Sequence, residues 1–186
     1  MQKLLNKLIS YILLALPVTK EKKLDSLGFT TYTIKKGRHS SGFHYKVDYN
    51  NNIKFEVEFN ESAIYKTKNP DDQADINKLY GFSDGGNHHM ESSIRIGWRW
   101  YNDNLELLWF KHEGGKFSYG PLETINLNQT YICRITTLGN KYLIGLNNYC
   151  YQVERSFRGD FKHYYLNPYF GGNEKAPHDI TIKIKH

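Results

Sequence analysis

The stretch SSIRIGWRWY, Ser92 to Tyr101, decides the fold. In an extended chain Ile94, Ile96, Trp98 and Trp100 fall on one side and Arg95, Gly97, Arg99 and Tyr101 on the other, because successive strand side chains point to opposite faces. The turn YNDN (Tyr101–Asn104) leads straight into LELLWFKH (105–112), so the two runs read as a hairpin. The same period of two appears upstream in NIKFEVEF (52–59), where Ile53, Phe55, Val57 and Phe59 alternate with Lys54, Glu56 and Glu58. Downstream, TYICRITTL, a turn at Gly139 and Asn140, KYLIGLN, a turn at Asn147 and Asn148, and YCYQVER form a meander. HYYLNPYF and DITIKIK close the chain, with Ile180, Ile182 and Ile184 on the inner face. Beyond residue 22 no segment has a helical period, and Thr67 to His89 reads as the longest irregular stretch.

So many short strands imply two sheets packed face to face, since a single sheet that large leaves an apolar face in water. The expected fold is all-β, a two-sheet antiparallel β-sandwich, with one domain over residues 23–186. Phe55, Val57, Ile94, Ile96, Trp98, Leu107, Trp109, Ile135, Tyr142, Ile144, Ile182 and Ile184 are its expected core. At 186 residues the chain can bury such a core without disulfide or metal support, and its 15 Tyr and 10 Phe suit pleated surfaces.

The net charge of +6 is spread along the chain with no run of five or more basic residues, which argues against a nucleic-acid partner. Residues 1–22 combine a Lys-bearing start, an apolar run from Leu8 to Val18 and a charged tail. That is the layout of a signal peptide, with cleavage expected between Val18 and Lys23. The alternative is an N-terminal amphipathic helix carrying Leu4, Leu5, Leu8, Ile9, Ile12 and Leu13 on one face. The run is too short for an integral membrane span. Export places the protein outside the cell, in the periplasm or on the cell surface; a retained helix places it in the cytoplasm. Cys133 and Cys150 read as lying on neighbouring strands, with no zinc-like spacing, and as free thiols that export can oxidise.

NQTYICRITTLGNKYLIGLNN, as strand, turn and strand, and the terminal YLNPYFGGNEKAPHDITIKI resemble the back half of the concanavalin A-like lectin and glucanase jelly rolls. The resemblance spans residues 28–186 and is architectural. It implies a jelly-roll sandwich associated with carbohydrate. The glutamate-x-aspartate-x-x-glutamate strand of the laminarinase-like glycosidases is absent, so no carboxylate pair for glycoside hydrolysis is visible. Of the arginine-x-glutamate-leucine-arginine strand of the jelly-roll alginate lyases, SIRIGWR offers only the arginines.

Candidate binding residues come from the outer face of the central hairpin. Arg95 and Arg99 stand two steps apart with Gly97 between them as a shallow hollow, Tyr101 comes next, and Glu106, Leu108 and Phe110 share that face from the next strand. Guanidinium groups beside aromatic surface suit a saccharide, above all an acidic one, because arginine forks onto carboxylate or sulfate. A cross-strand arginine–glutamate ion pair on a wet face accounts for the same residues. Asp71, Asp72, Asp75 and Asn77 supply the oxygen donors a calcium ion collects, without the glycine and distal glutamate of an EF-hand loop; no cofactor is required. His88 and His89, read as adjacent strand residues, point to opposite faces and form no metal site. Tyr169 and Phe170 act either as core plugs or as stacking platforms. Three functions are consistent with these residues: saccharide binding, a polysaccharide lyase of the same fold, and a structural or protein-interaction domain without a pocket.

Overall fold

The computed structural model describes residues 24–42, 46–156, 159 and 162–186. The N-terminal segment read as a signal peptide or helix lies outside them, and among the described residues no helix is long and apolar enough to cross a membrane. In chain order the strands are β1 (Thr30–Ile34), β2 (Val47–Asp48), β3 (Asn52–Phe59), β4 (Asn77–Asp84), β5 (Ser92–Tyr101) and β6 (Asn104–Glu113). They continue as β7 (Lys116–Ile125), β8 (Thr130–Leu138), β9 (Lys141–Leu146), β10 (Tyr149–Glu154), β11 (His163–Leu166) and β12 (Ile180–Lys185). Two six-stranded sheets result, in the orders β1-β12-β3-β8-β9-β10 and β2-β11-β4-β5-β6-β7. Every pairing is antiparallel.

The β5–β6 hairpin forms as its sequence predicts: Trp98 pairs with Leu107 and Arg99 with Glu106, and Asn102 and Asp103 take φ of 50° and 59° in the tight turn. The apolar halves of both sheets interdigitate in one core. Trp98 is fully buried at its centre, with ring centroids 5.2 Å from Phe59 and 5.8 Å from Tyr65. The expected core residues are buried throughout, apart from Trp109, which is half-buried.

Two expectations need correction. The stretch Thr67–His89 is not irregular: it holds a short 3-10 turn, Pro70–Ala74, and then β4, a central strand of the second sheet. Cys133 and Cys150 do not lie on neighbouring strands, because β9 runs between β8 and β10; Cys133 is buried, Cys150 exposed, and both are free.

Candidate functional site

The outward face of the second sheet is built from alternate residues of four strands. Register places Gly81 opposite Arg95, Arg95 opposite Phe110, and Phe110 opposite Tyr119. Gly81 matters because a Cβ there would sit 2.6 Å from Arg95 Cα and 2.9 Å from its Cγ. The bare glycine lets the arginine stem lie close along β4. A bulge between Lys78 and Tyr80 shifts the register of β4, a device that re-aims side chains.

At the end of β4, Asp84 is gripped by Arg155 through two bonds of 2.6 and 2.7 Å, and it accepts a third, of 2.7 Å, from the Tyr142 hydroxyl. This buried pair anchors the loop that comes after it. Gly85 and Gly86, at φ of 65° and 69°, turn the chain sharply there. His88 and His89 therefore do not diverge as strand neighbours would: their rings lie 4.3 Å apart and both line one cavity.

That cavity, of about 610 Å³, is walled by His88, His89, Tyr164 and Tyr169 with Arg95 buried at its base. Tyr169 is partly exposed and stacks on His39 at 5.2 Å, whereas Phe170 turns inward against Tyr65 at 4.9 Å. Phe170 is thus a core plug, and Tyr169 a surface ring packed on His39. Beside it a second cavity, of about 330 Å³, is lined by Asp75, Lys78, Phe110, His112, Phe117 and Tyr119, among others.

The electrostatics are unusual for a sheet face. Arg95 is 6% exposed, and its buried Nε has no hydrogen-bond partner among the described residues. Nor, among those residues, does any carboxylate form an ion pair with Arg95 or Lys78. Burial lowers Arg95 to about 10, and burial together with the nearby Arg95 lowers Lys78 to about 8. Burial, reinforced by the same guanidinium, holds both His89 and His112 at about 4, so both are neutral at physiological pH. A desolvated cation flanked by neutral imidazoles and phenols is an arrangement that an anion completes.

The five residues expected to bind ligand separate into two groups. Arg95 and Phe110 lie side by side at the cavities. Arg99 instead pairs with Glu106 at 2.7 Å, donates to the Ala74 carbonyl and covers the Tyr101 ring at 4.7 Å, so it is satisfied within the chain. The hollow expected at Gly97 is filled: a Cβ there would meet the Ile76 side chain at 2.6 Å, and Ile76, Leu108 and Phe110 pack as a small cluster. Arg95 is buried, not exposed as an outer-face position suggests.

Of the oxygen donors of 71–77, Asp72 and Asp75 both accept from Asn173, whereas Asn77 turns inward. Asn77 is buried, donates to the Tyr65 hydroxyl and accepts from Gly171 N, while Asp71 and Asp72 sit in the first turn of the 3-10 segment and Asp75 faces Gly172 and Asn173. Among the described residues no group of three or more acidic, histidine or cysteine side chains is placed to hold a metal ion.

Sequence reasoning missed Lys78, His112 and Tyr164. His112 was accessible to it, since the outward series Glu106, Leu108, Phe110 reaches His112 in one more step. Lys78 had no such signal, because its strand was not recognised.

No protein-family profile matches the chain, and no curated protein matches it by sequence. Solved structures do. The alginate lyase AlyC3 superposes with a TM-score of 0.63 at 12% identity, over 90% of this chain and 77% of that one. AlyC3 in complex with dimannuronate gives a TM-score of 0.58 at 12% identity, over 90% and 76% of the two chains. A functionally unknown protein from Saccharomyces cerevisiae gives 0.55 at 12% identity, over 89% of this chain and 91% of its own. Identity this low establishes shape alone: the chain shares the two-sheet antiparallel sandwich of these structures, the fold its terminal segments suggested. Function has to be argued from the site.

Proposed function

We propose that the protein is an exported carbohydrate-associated sandwich whose second sheet binds an acidic polysaccharide across its outer face. The observation that carries this reading is Arg95: a buried guanidinium, without an ion pair among the described residues, at the base of a cavity open to solvent. Leaving a charge desolvated and uncompensated is costly to the folded state, and a carboxylate or sulfate supplies the missing counter-charge through a forked hydrogen bond. Tyr164, Tyr169, His88 and His89 add aromatic walls and polar edges of the kind a sugar ring uses. The jelly-roll fold shared with an alginate lyase supports a saccharide over other anions. The layout of residues 1–22 supports export.

Titration against uronate, sulfated and neutral oligosaccharides of equal length tests the reading. Binding confined to the acidic series, and lost in Arg95→Met, is expected. Equal binding of neutral and acidic oligomers would remove it.

A second reading has its own support, because His89 and His112 are held neutral and Tyr169 lines the same cavity as Arg95. Such a base can take the proton α to a uronate carboxylate whose charge Arg95 offsets. The electron pair then forms the ring double bond as the glycosidic C–O bond breaks, and the departing oxygen takes a proton. New ultraviolet absorbance from an unsaturated sugar, released from whichever acidic oligomer binds, distinguishes a lyase from a binding module.

A further inference from the structure

The acidic-saccharide groove contains a second cation with surroundings of its own. Resting on the acidic-polysaccharide reading of Arg95, we infer that the groove holds two consecutive anionic sugar residues, the first counter-charged by Arg95 and the second by Lys78, with Phe117 and Tyr119 stacking on the second ring.

The two cations serve different cavities. Arg95 lines the one walled by Tyr164, Tyr169 and the histidine loop, while Lys78 lines the smaller neighbour on the β6–β7 side. Lys78 pairs with Gly97 across β4 and β5, two residues along β5 from Arg95, which puts the two positions on a diagonal of roughly 7–8 Å. Side chains this long can converge from that spacing, but these two open into different cavities, which two neighbouring residues of a chain fill separately.

The surroundings of Lys78 are arranged to present it. Its ammonium donates to the Ile76 carbonyl at 2.7 Å and lies 4.4 Å from the centre of the Phe110 ring, while Gly171 has no side chain to displace it. An ammonium carries three donors, so capacity remains for a ligand. From Phe110 a ladder of nearly parallel rings runs outward: Phe110 to Phe117 at 5.5 Å and 16°, then Phe117 to Tyr119 at 6.5 Å and 17°. Phe117 is 62% exposed and Tyr119 49%. A flat aromatic ledge beside a cation fits a ring that is apolar on its C–H face and anionic at its edge. An apolar protein partner does not fit, since covering this ledge would seal in two cations and bring no counter-charge of its own.

Asp75 lines the same small cavity without an ion pair to Lys78. It therefore opposes the second anion and sets a limit on affinity.

The test is titration, followed by NMR, of the full chain with a uronic acid monomer, its dimer and its tetramer, and with a neutral tetramer. In the parent the dimer should bind at least about tenfold tighter than the monomer, as a further hydrogen bond between charged groups implies. Lys78→Met should bring the dimer back to the monomer's affinity while leaving the monomer within about twofold of the parent. Phe117→Ala with Tyr119→Ala should act in the same direction, and because both side chains are exposed this double variant carries the test if Lys78→Met does not fold. Asp75→Asn should tighten the dimer alone. A parent that binds monomer and dimer equally, or a folded Lys78→Met that keeps the parent's dimer affinity, overturns the two-residue site while leaving acidic recognition at Arg95 in place. A parent that binds no uronate of any length overturns both.

Discussion

Arg95→Met should make this protein more stable. Most substitutions of a buried residue do the reverse, but here the side chain is a desolvated cation without an ion pair among the described residues, and its Nε lacks any hydrogen-bond acceptor there. Burial moves the guanidinium from 12.5 to about 10, a depression equivalent to roughly 3 kcal/mol between the charged and neutral forms. Methionine keeps most of the aliphatic stem that packs over Gly81 and removes the charge. Allowing for imperfect refilling of the guanidinium's volume, the gain should be roughly 1–3 kcal/mol, which for a chain of this length raises Tm by about 3–10 °C. Thermal melts of parent and variant, alone and with an acidic oligosaccharide, form the assay. At a ligand concentration of about 100 Kd the parent should gain roughly 2.7 kcal/mol and the variant nothing, narrowing or reversing the order of the two melts. An unliganded variant melting several degrees below the parent would refute the argument, because it would mean Arg95 is compensated within the fold.

Acid should weaken the fold through His89 and His112. Both take up a proton near 6.5 when unfolded and near 4 when folded, so between those values the unfolded chain binds more protons; stability is full above about pH 6.5 and falls towards pH 4. Denaturant midpoints at about pH 7 and about pH 5 should show the loss, and the double variant His89→Gln, His112→Gln should reduce it. Asp84→Asn removes the buried carboxylate that takes two bonds from Arg155 and one from Tyr142, and should cost roughly 3–5 kcal/mol, read as a drop in the denaturant midpoint. Trp98→Ala removes a fully buried indole at the centre of the core and should cost about 3–5 kcal/mol, measured in the same way.

The sandwich was legible in the sequence because most of its strands keep one wet face. Lys54, Glu56 and Glu58 alternate with buried Ile53, Phe55 and Val57, and Lys183 and Lys185 alternate with buried Ile182 and Ile184, so the period of two survives intact. The strand β4 broke that pattern. Both of its faces are covered: Leu79, Tyr80 and Phe82 meet the core, while Gly81 lies beneath Arg95 and Ser83, also buried, accepts from the Tyr164 backbone of β11. Covered polar residues carry no alternation to read, and the bulge after Lys78 disturbs what remains. The histidines were misjudged for a related reason. Their divergence holds only if Asn87–Met90 is a strand, and two left-handed glycines make it a turn. Arg95 and Arg99 look equivalent as letters; which of them meets Glu106 is a matter of register and hairpin length, and that left Arg95 as the one without a carboxylate.

The two outer faces of the sandwich isolate what the fold itself demands. On the first sheet, the outward residues of β3 and β12 form half-buried cross-strand pairs in reach of solvent: Lys183 with Glu58 and Lys185 with Glu56, each at 3.4 Å. That is how a solvated antiparallel face ordinarily settles its charge, and such pairs contribute little to stability. The second sheet has the same number of strands and the same pleat, so it could have settled its charge in the same way, and at Arg99 and Glu106 it does. A few ångströms away it does not. Arg95 and Lys78 are withdrawn from water, the guanidinium lowers the basicity of the ammonium, and among the described residues no carboxylate forms an ion pair with either. Nothing in the packing of a sandwich calls for that arrangement, and a hydrophobic residue at position 95 would serve the fold better. A local cost without structural return is what a binding site leaves in an otherwise consistent sequence. Here its sign, two cations beside an aromatic ledge, is what supports the proposed acidic saccharide over a neutral one.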